Sequence, residues 1–334
     1  MSELSVEEWA RDGGMFENHR FFRTSGSSGG EAKWIALSEE ALAWSARTVI
    51  EGLGIAGDDV LGLAIPEVHV GGAGLVLRAE ISGARLARFL PRWDVREFAK
   101  WCAKETVTVL SLVPTQVHDL VENLAVGNPE LRVVVVGGGV LDDILATKAR
   151  ALGWPVVPSY GMTETASQVA VGDGLPFYPG WEARVVDGCL SLKGGSLLSA
   201  VIRREGESYV AHDPKVGGWF LTQDRVEIVD GGLRILGRDD RRVKVLGTLV
   251  DLDELEKFWS TELGSECVLV AKPDDRRGVI LFLFCVGSVA QVESINAKLP
   301  GPERVQVWKS LECLPRSPLG KVDRSVLMEF SVAT

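Results

Sequence analysis

Short apolar runs at residues 60–65, 107–113 and 131–136 alternate along this chain with segments of helical character. Pro66 closes the first run and Pro114 the second, and the third ends in four valines before Gly137-Gly138-Gly139. Strands apolar on both faces belong inside a sheet, and strands separated by helices must run parallel through right-handed crossovers. The intervening helices are expected at 38–52 behind an Ser38 N-cap, at 70–82, at 95–104 behind Asp94, at 116–124 and at 142–152. Shorter strands are expected at 33–37, 84–90 and 155–158, and a short helix at 7–17. Ligands of parallel sheets sit beyond the carboxyl ends of the strands. Segments 137–139 and 159–165 both fall at such ends.

From residue 177 the texture changes. Runs 183–186 and 189–192 flank Asp187-Gly188, and runs 225–229 and 233–236 flank Asp230-Gly231-Gly232. Asp-Gly between β-rich runs marks a hairpin, because both central residues need positive φ. Gly237-Arg238-Asp239-Asp240-Arg241-Arg242 is a charged break and a candidate hinge. Beyond it, strands at 243–246, 267–271, 279–286 and 304–308 interleave with helices at 252–261 and 289–299. A loop at 314–322 precedes a last helix capped by Asp323. The expected class is α/β: a large N-terminal core (1–238) with a mainly parallel sheet and an appended antiparallel β region, then a small, mobile α+β domain (239–334).

The 334 residues suffice for about two or three domains, and 46% apolar with 25% charged residues fits a well-cored, soluble protein. A net charge of −10 argues against a nucleic-acid partner. The five cysteines show no Cys-x-x-Cys spacing and read as the reduced thiols of a cytosolic protein. No secretory signature opens the chain, and no apolar run approaches a membrane span. Cytoplasmic localisation is therefore expected. No His/Cys cluster has metal-ligand spacing, and Gly26-Ser27-Ser28-Gly29 is not the Gly-x-Ser-x-Gly of a serine hydrolase.

Thr24-Ser25-Gly26-Ser27-Ser28-Gly29-Gly30-Glu31-Ala32-Lys33 is the densest local signal. Glycines let the backbone turn sharply, and successive N–H groups in such a turn form an anion-binding concavity. Four hydroxyls add donors and Lys33 adds a positive charge. A flexible Gly/Ser linker is the plain alternative, disfavoured by the strand-like Arg20-Phe21-Phe22 before it and the amphipathic segment after it. The mononucleotide loop Gly-x-x-x-x-Gly-Lys-Ser/Thr is excluded by spacing: Glu31 stands at the second Gly position and Trp34 follows Lys33.

The stretch resembles the phosphate loop of the adenylate-forming superfamily (acyl- and aryl-CoA ligases, luciferases, adenylation domains). Further segments match that family in order over about residues 20–325. Tyr160-Gly161-Met162-Thr163-Glu164 resembles its Tyr-Gly-x-Thr-Glu, which implies Tyr160 against adenine, Thr163 at the phosphate and Glu164 holding Mg²⁺. A magnesium ion held through nucleotide phosphates needs only one or two protein carboxylates. Gly137-Gly138-Gly139 matches the Gly-rich turn beside the adenine. Thr222-Gln223-Asp224 resembles Thr/Ser-Gly-Asp, with Gln223 where Gly is usual; Asp224 and Arg238 are implied ribose ligands. Asp240 falls at the family's hinge residue. Pro315 to Arg324 matches Pro-x-x-x-x-Gly-Lys-x-x-Arg, which implies Lys321 as the catalytic lysine. Two anions meet when a carboxylate attacks an α-phosphate, and a placed ammonium stabilises that transition state. The segment 243–247 resembles the strand that replaces the catalytic loop when the C-terminal domain rotates, so Lys244 and Gly247 are candidates for the thioester step. His69, within Pro66-Glu67-Val68-His69-Val70-Gly71-Gly72, matches a His-x-x-Gly that orients the carboxylate or screens its charge.

The resemblance implies an ATP-dependent, AMP-forming acid–thiol ligase with ATP, Mg²⁺ and CoA as cosubstrates. The small-molecule carboxylic acid would pass through an acyl-adenylate to a CoA thioester. The phosphate loop begins unusually early, so the chain is a short form, resembling o-succinylbenzoate–CoA ligases of menaquinone synthesis. Another aryl- or acyl-CoA ligase, an adenylation enzyme loading a carrier protein, and a non-catalytic nucleotide-binding relative are the alternatives. A homodimer is compatible with all of them.

Overall fold

The computed structural model describes residues 5–24, 33–274, 276–317 and 320–330. Helix α1 (Val6–Asp12) opens on a capping box between Ser5 and Glu8 and stops five residues before the expected end. Strands β1 (His19–Thr24) and β2 (Lys33–Ser38) then pair antiparallel, with Thr24 opposite Lys33. Ser38 caps α2 (Glu39–Leu53) by accepting the Ala41 N–H at 3.1 Å.

The alternation read from the sequence follows: β3 (Val60–Leu63), α3 (Val70–Ser82), β4 (Arg85–Arg88), α4 (Val95–Lys104), β5 (Val109–Leu112), α5 (Pro114–Glu122), β6 (Val133–Val136), α6 (Asp143–Ala151) and β7 (Val156–Met162). With β8 (Ser167–Val171) these strands form one sheet in the order β4-β3-β5-β6-β7-β8. Every pair is parallel except β7–β8. All residues of β3 and β5 are buried, as apolarity on both faces requires. Two expectations are corrected. Pro114 is the first residue of α5, where its missing N–H costs nothing, so the helix begins two residues early. Residues 159–162 are not beyond a strand but within β7, because β8 returns antiparallel and prolongs it.

The antiparallel region is two sheets. Strands β9 (Glu182–Val186) and β10 (Cys189–Lys193) meet at Asp187 and Gly188, with φ of 50° and 81°. Strands β11 (Ala200–Glu205) and β12 (Ser208–His212) follow, then β13 (Phe220–Val229) and β14 (Gly232–Arg238). One sheet has the order β14-β13-β10-β9, and the other β1-β2-β11-β12. The region is thus not simply appended after residue 177: the hairpin flanking the Gly/Ser loop belongs to it.

The last third holds β15 (Arg242–Val245), β16 (Thr248–Asp251), α7 (Leu252–Leu263), β17 (Cys267–Asp274), β18 (Gly278–Val286), α8 (Val292–Asn296), β19 (Val307–Leu311) and α9 (Arg324–Phe330). Helix α8 is shorter than expected, and β19 lies three residues later, parallel to β18. Among the described residues, the hydrophobic clusters of this part draw on nothing before Val243, and those of the rest on nothing after Leu233. Between the two lie charges instead. Arg225 pairs with Asp251, and Asp253 accepts from the Arg238 N–H at 3.2 Å. No helix among the described residues is long and apolar enough to cross a membrane.

Candidate active site

The cradle starts where β6 and β7 meet the antiparallel sheets. Gly137 follows β6 and donates its N–H to Leu112 O at 3.1 Å; Gly138 has φ of 79°, a conformation that suits glycine. On β7 the Tyr160 hydroxyl donates to Asp224 Oδ2 at 2.6 Å, and both side chains are buried. The Arg238 guanidinium donates to Asp224 Oδ1 at 2.9 Å and straddles the Asp240 carboxylate at 2.8 and 3.1 Å. Burial first, then the Asp224 charge, holds the Tyr160 phenol well above its ordinary range, so it stays a donor. Gln223 does not disturb this arrangement: it lies within β13, and the Asp224 N–H donates to Thr222 Oγ1 at 3.1 Å. Tyr160, Asp224, Arg238 and Asp240 thus form one continuous chain of contacts.

Gly161 carries a steric constraint. A Cβ there would stand 1.9 Å from Ser167 O, because β8 folds tightly back over β7 through the 3₁₀ turn Thr163–Thr165. Met162 is tied to that turn by its N–H to Thr165 Oγ1 at 3.1 Å. The turn places Glu164, whose Oε1 meets Lys33 Nζ at 2.8 Å. Residues Ser25, Gly26, Ser27, Ser28 and Gly29 lie outside the described residues. Their flanks, Thr24 and Lys33, face each other across the β1–β2 pair, and among the described residues the buried Thr24 Oγ1 has no hydrogen-bond partner.

The C-terminal tip lies over this cradle. Arg316 forks onto both Glu266 oxygens at 2.7 and 2.6 Å and donates to Gly320 O at 2.8 Å, fixing the loop that presents Lys321. Gly320, with φ of 72°, packs where a Cβ would stand 2.3 Å from Thr115 Oγ1 on α5. Lys321 keeps an exposed side chain, yet its Cε lies 3.6 Å from the position a Gly138 Cβ would take. The protein atoms crowded around its ammonium, then Arg238, lower its pKa, while Asp224 and Glu164 oppose that shift. His69, the N-cap residue of α3, is held below the usual imidazole range by burial and by Lys321. The neutral ring suits orienting a carboxylate better than screening its charge. Lys244 and Gly247 are not gathered here. They lie on the β15–β16 hairpin, where a Cβ on Gly278 would stand 2.6 Å from Lys244 O.

One residue of interest escaped the sequence reading. Arg78 sits in the apolar helix α3, only 2% exposed, with Nη2 3.3 Å from Ser167 Oγ and Nε without a partner. Among the described residues no carboxylate pairs with it, and burial lowers its pKa to about 10. An arginine inside an apolar stretch is the only trace in the sequence; its burial is set by β8, which the sequence did not reveal.

A nucleotide cradle on a parallel sheet, covered by a lysine-bearing tip, defines an adenylate-forming enzyme, and the chain belongs to the AMP-binding enzyme family, whose profile matches residues 21–191. A probable 2-succinylbenzoate–CoA ligase of Mycobacterium tuberculosis is 30% identical over 329 residues, covering 91% of this chain and 82% of that one. The 2-succinylbenzoate–CoA ligase of Lactococcus lactis is 28% identical over 292 residues, 83% of this chain. This chain spans 63% of that relative's length. Among solved structures, an Escherichia coli MenE variant with bound OSB-AMS superposes with a TM-score of 0.76 at 26% identity, covering 93% of this chain and 68% of that one.

Proposed function

We propose that the protein is an AMP-forming acid–CoA ligase, with residues 1–238 as adenylation core and 239–334 as lid. The observation that carries this reading is the placement of Lys321, whose Cε lies 3.6 Å from the position of a Gly138 Cβ and whose ammonium is in electrostatic contact with Glu164 and Asp224. A surface lysine of a Pro/Gly loop has no reason to be held over the glycine turn and beside two carboxylates. In the first step, the acid carboxylate attacks the α-phosphate of ATP, and the Lys321 ammonium offsets the charge that gathers on the transferring group and the leaving pyrophosphate. Thr24, Lys33 and the loop 25–29 hold the phosphates. Tyr160 and the 137–139 turn flank adenine, and Asp224 with Arg238 hold the ribose. His69 orients the carboxylate.

Magnesium fits the donors present. One carboxylate, Glu164, stands opposite a lysine at 2.8 Å, the pairing that phosphates and a cation would take over together. Bound there, the ion would neutralise phosphate charge; Thr163 and Glu164 are the residues placed to meet it. In the second step a thiol attacks the acyl-adenylate carbonyl, its proton and AMP leave, and a thioester results. Lys244 and Gly247 serve this step once the lid has turned.

The acid we assign is o-succinylbenzoate, placing the enzyme in menaquinone synthesis in the cytoplasm. The relatives' substrate has two carboxylates. Pyrophosphate release against a panel of carboxylic acids tests this. Turnover with o-succinylbenzoate and not with benzoate is expected, and equal turnover with monocarboxylates overturns the substrate. Assays with CoA alone against added carrier protein separate the two acceptors, and CoA alone is expected to suffice.

A further inference from the structure

The loop that carries Lys321 is bracketed by two arginines, and each is gripped by a glutamate. Arg316, before the lysine, lies on Glu266. Arg324, three residues past it, donates to Glu256 Oε2 at 2.8 Å. Between the two grips the loop closes on itself: the Ser317 N–H donates to Lys321 O at 2.7 Å, and the Asp323 N–H to Pro315 O at 2.8 Å.

The two glutamates differ in what else they hold. The Glu266–Arg316 pair lies in solvent, where water weakens the attraction. Glu256 sits on α7 with its side chain only 14% exposed. Its Oε1 accepts from the Arg241 guanidinium and from the Leu269 N–H at 2.8 Å. Arg241 is itself buried, and it donates to Asp253 Oδ1 at 2.9 Å and to Leu269 O at 3.3 Å. It closes the 3₁₀ turn Asp239–Arg241, within the candidate hinge. One carboxylate thus ties the hinge turn to the lysine tip. Arg324 is the first residue of α9, where a cation opposes the helix dipole. Helix stability gives no reason for an arginine there; Glu256 does.

We propose that Glu256 is a positioning residue for adenylate formation. By gripping Arg324 and Arg241 together it makes the hinge turn and the tip one rigid arm, which delivers Lys321 to one place over the cradle. This rests on the ligase reading above. Every contact of the clamp lies within residues 239–334, so it persists whichever way the lid is turned.

The test compares Glu256→Gln with the parent in the two half-reactions. Glutamine keeps the size and still accepts from the Leu269 N–H, but removes the charge that two guanidinium groups share. The kcat of acyl-adenylate formation should fall by about tenfold to about a hundredfold, the scale of displacing a reacting group by about 1 Å. The KM for ATP should change little, and thioester formation from supplied acyl-adenylate should be kept. In a Lys321→Ala background the same substitution should cost nothing further, because it acts through the lysine. An equal fall in both half-reactions, or a loss that adds fully to that of Lys321→Ala, makes Glu256 structural only and overturns the proposal. A rise in the KM for ATP with kcat kept assigns Arg324 to the nucleotide and also overturns it. Should Glu256→Gln fail to fold, Arg324→Leu, which leaves Glu256 its bonds to Arg241 and Leu269, goes through the same assays. Tryptic cleavage after Lys321 needs no turnover. It should quicken at least about tenfold in Glu256→Gln, the scale of one lost charged hydrogen bond, and equal rates overturn the clamp. If cleavage quickens while no acid is ever activated, the clamp stands and the ligase reading falls.

Discussion

Tyr160 and Asp224 are 64 residues apart, yet the phenol donates to the carboxylate at 2.6 Å inside the protein. The bond ties β7 of the parallel sheet to β13 of an antiparallel one, and it leaves Asp224 Oδ1 to Arg238. Tyr160→Phe removes the donor and keeps the ring. Asp224 then loses one of the partners that aim it. The KM for ATP should rise by about tenfold, the usual scale for a lost hydrogen bond to a charged group, with kcat changed less. An unaltered KM in steady-state pyrophosphate release would show that the bond does not position the carboxylate.

Lys321→Ala should lower acyl-adenylate formation by about 10²–10³-fold, the scale for losing one preorganised transition-state donor. Thioester formation from supplied acyl-adenylate should be largely kept, because that step develops no charge at the α-phosphate. Separate assays of the two half-reactions decide it; equal loss in both refutes the assigned role.

Gly161→Ala forces a methyl group to within 1.9 Å of the Ser167 carbonyl oxygen. Backbone lies on both sides, so no side chain can swing away. A loss of about 3 kcal/mol is expected, at the upper end for overpacking. Chemical denaturation measures it, and an unchanged midpoint would mean that the β7–β8 turn relaxes freely.

Asp59 accepts from Arg132 Nε and Nη2 at 2.9 and 2.6 Å, from the Thr108 hydroxyl at 2.6 Å and from the Ala56 N–H at 2.9 Å. The Arg132 bonds are the main reason its pKa falls to about 2 from an ordinary 3.8. A depressed carboxyl stabilises the fold above the unfolded-state pKa, and that stability drains away as pH drops through the folded-state value. Asp59→Asn should therefore cost about 2 kcal/mol at pH 7. The gap to the parent should close between about pH 4 and pH 2. Unfolding curves across that window check both.

Arg78→Met removes a buried cation that has no carboxylate partner among the described residues. Stability should hold or rise, since an apolar side chain of similar length fits such a place at least as well. Thermal unfolding measures it, and a variant that melts early would show that the bond from Arg78 Nη2 to Ser167 Oγ outweighs the cost of burying the charge.

Much of this was legible in the chain because local rules sufficed. Helix α3 begins and ends at the expected residues, Asp94 caps α4 by accepting the Glu97 N–H at 2.9 Å, and Asp230-Gly231 turns with φ of 51° and 77°. Strand β8 was missed for a physical reason: it buries the polar Ser167 and Gln168 along with Val169 and Ala170, so no alternation marks it. Arg78 was missed with it. The pairing of β2 with β11 joins residues some 165 positions apart and leaves no local mark, so the split into two antiparallel sheets was not readable. The motif residues of the site were visible as motifs. Their gathering depends on β8 and on where the C-terminal tip rests, and neither has a local signature.

The joint between the two parts of the molecule joins Arg225 to Asp251 and the Arg238 backbone to Asp253, while each part keeps its oily interior to itself. Swinging one part away from the other would wet ions, which water welcomes, and would bare little greasy surface. A lid of the kind proposed would open and shut without passing a sticky stage, and dissolved salt, by weakening the joint, would set how readily it opens.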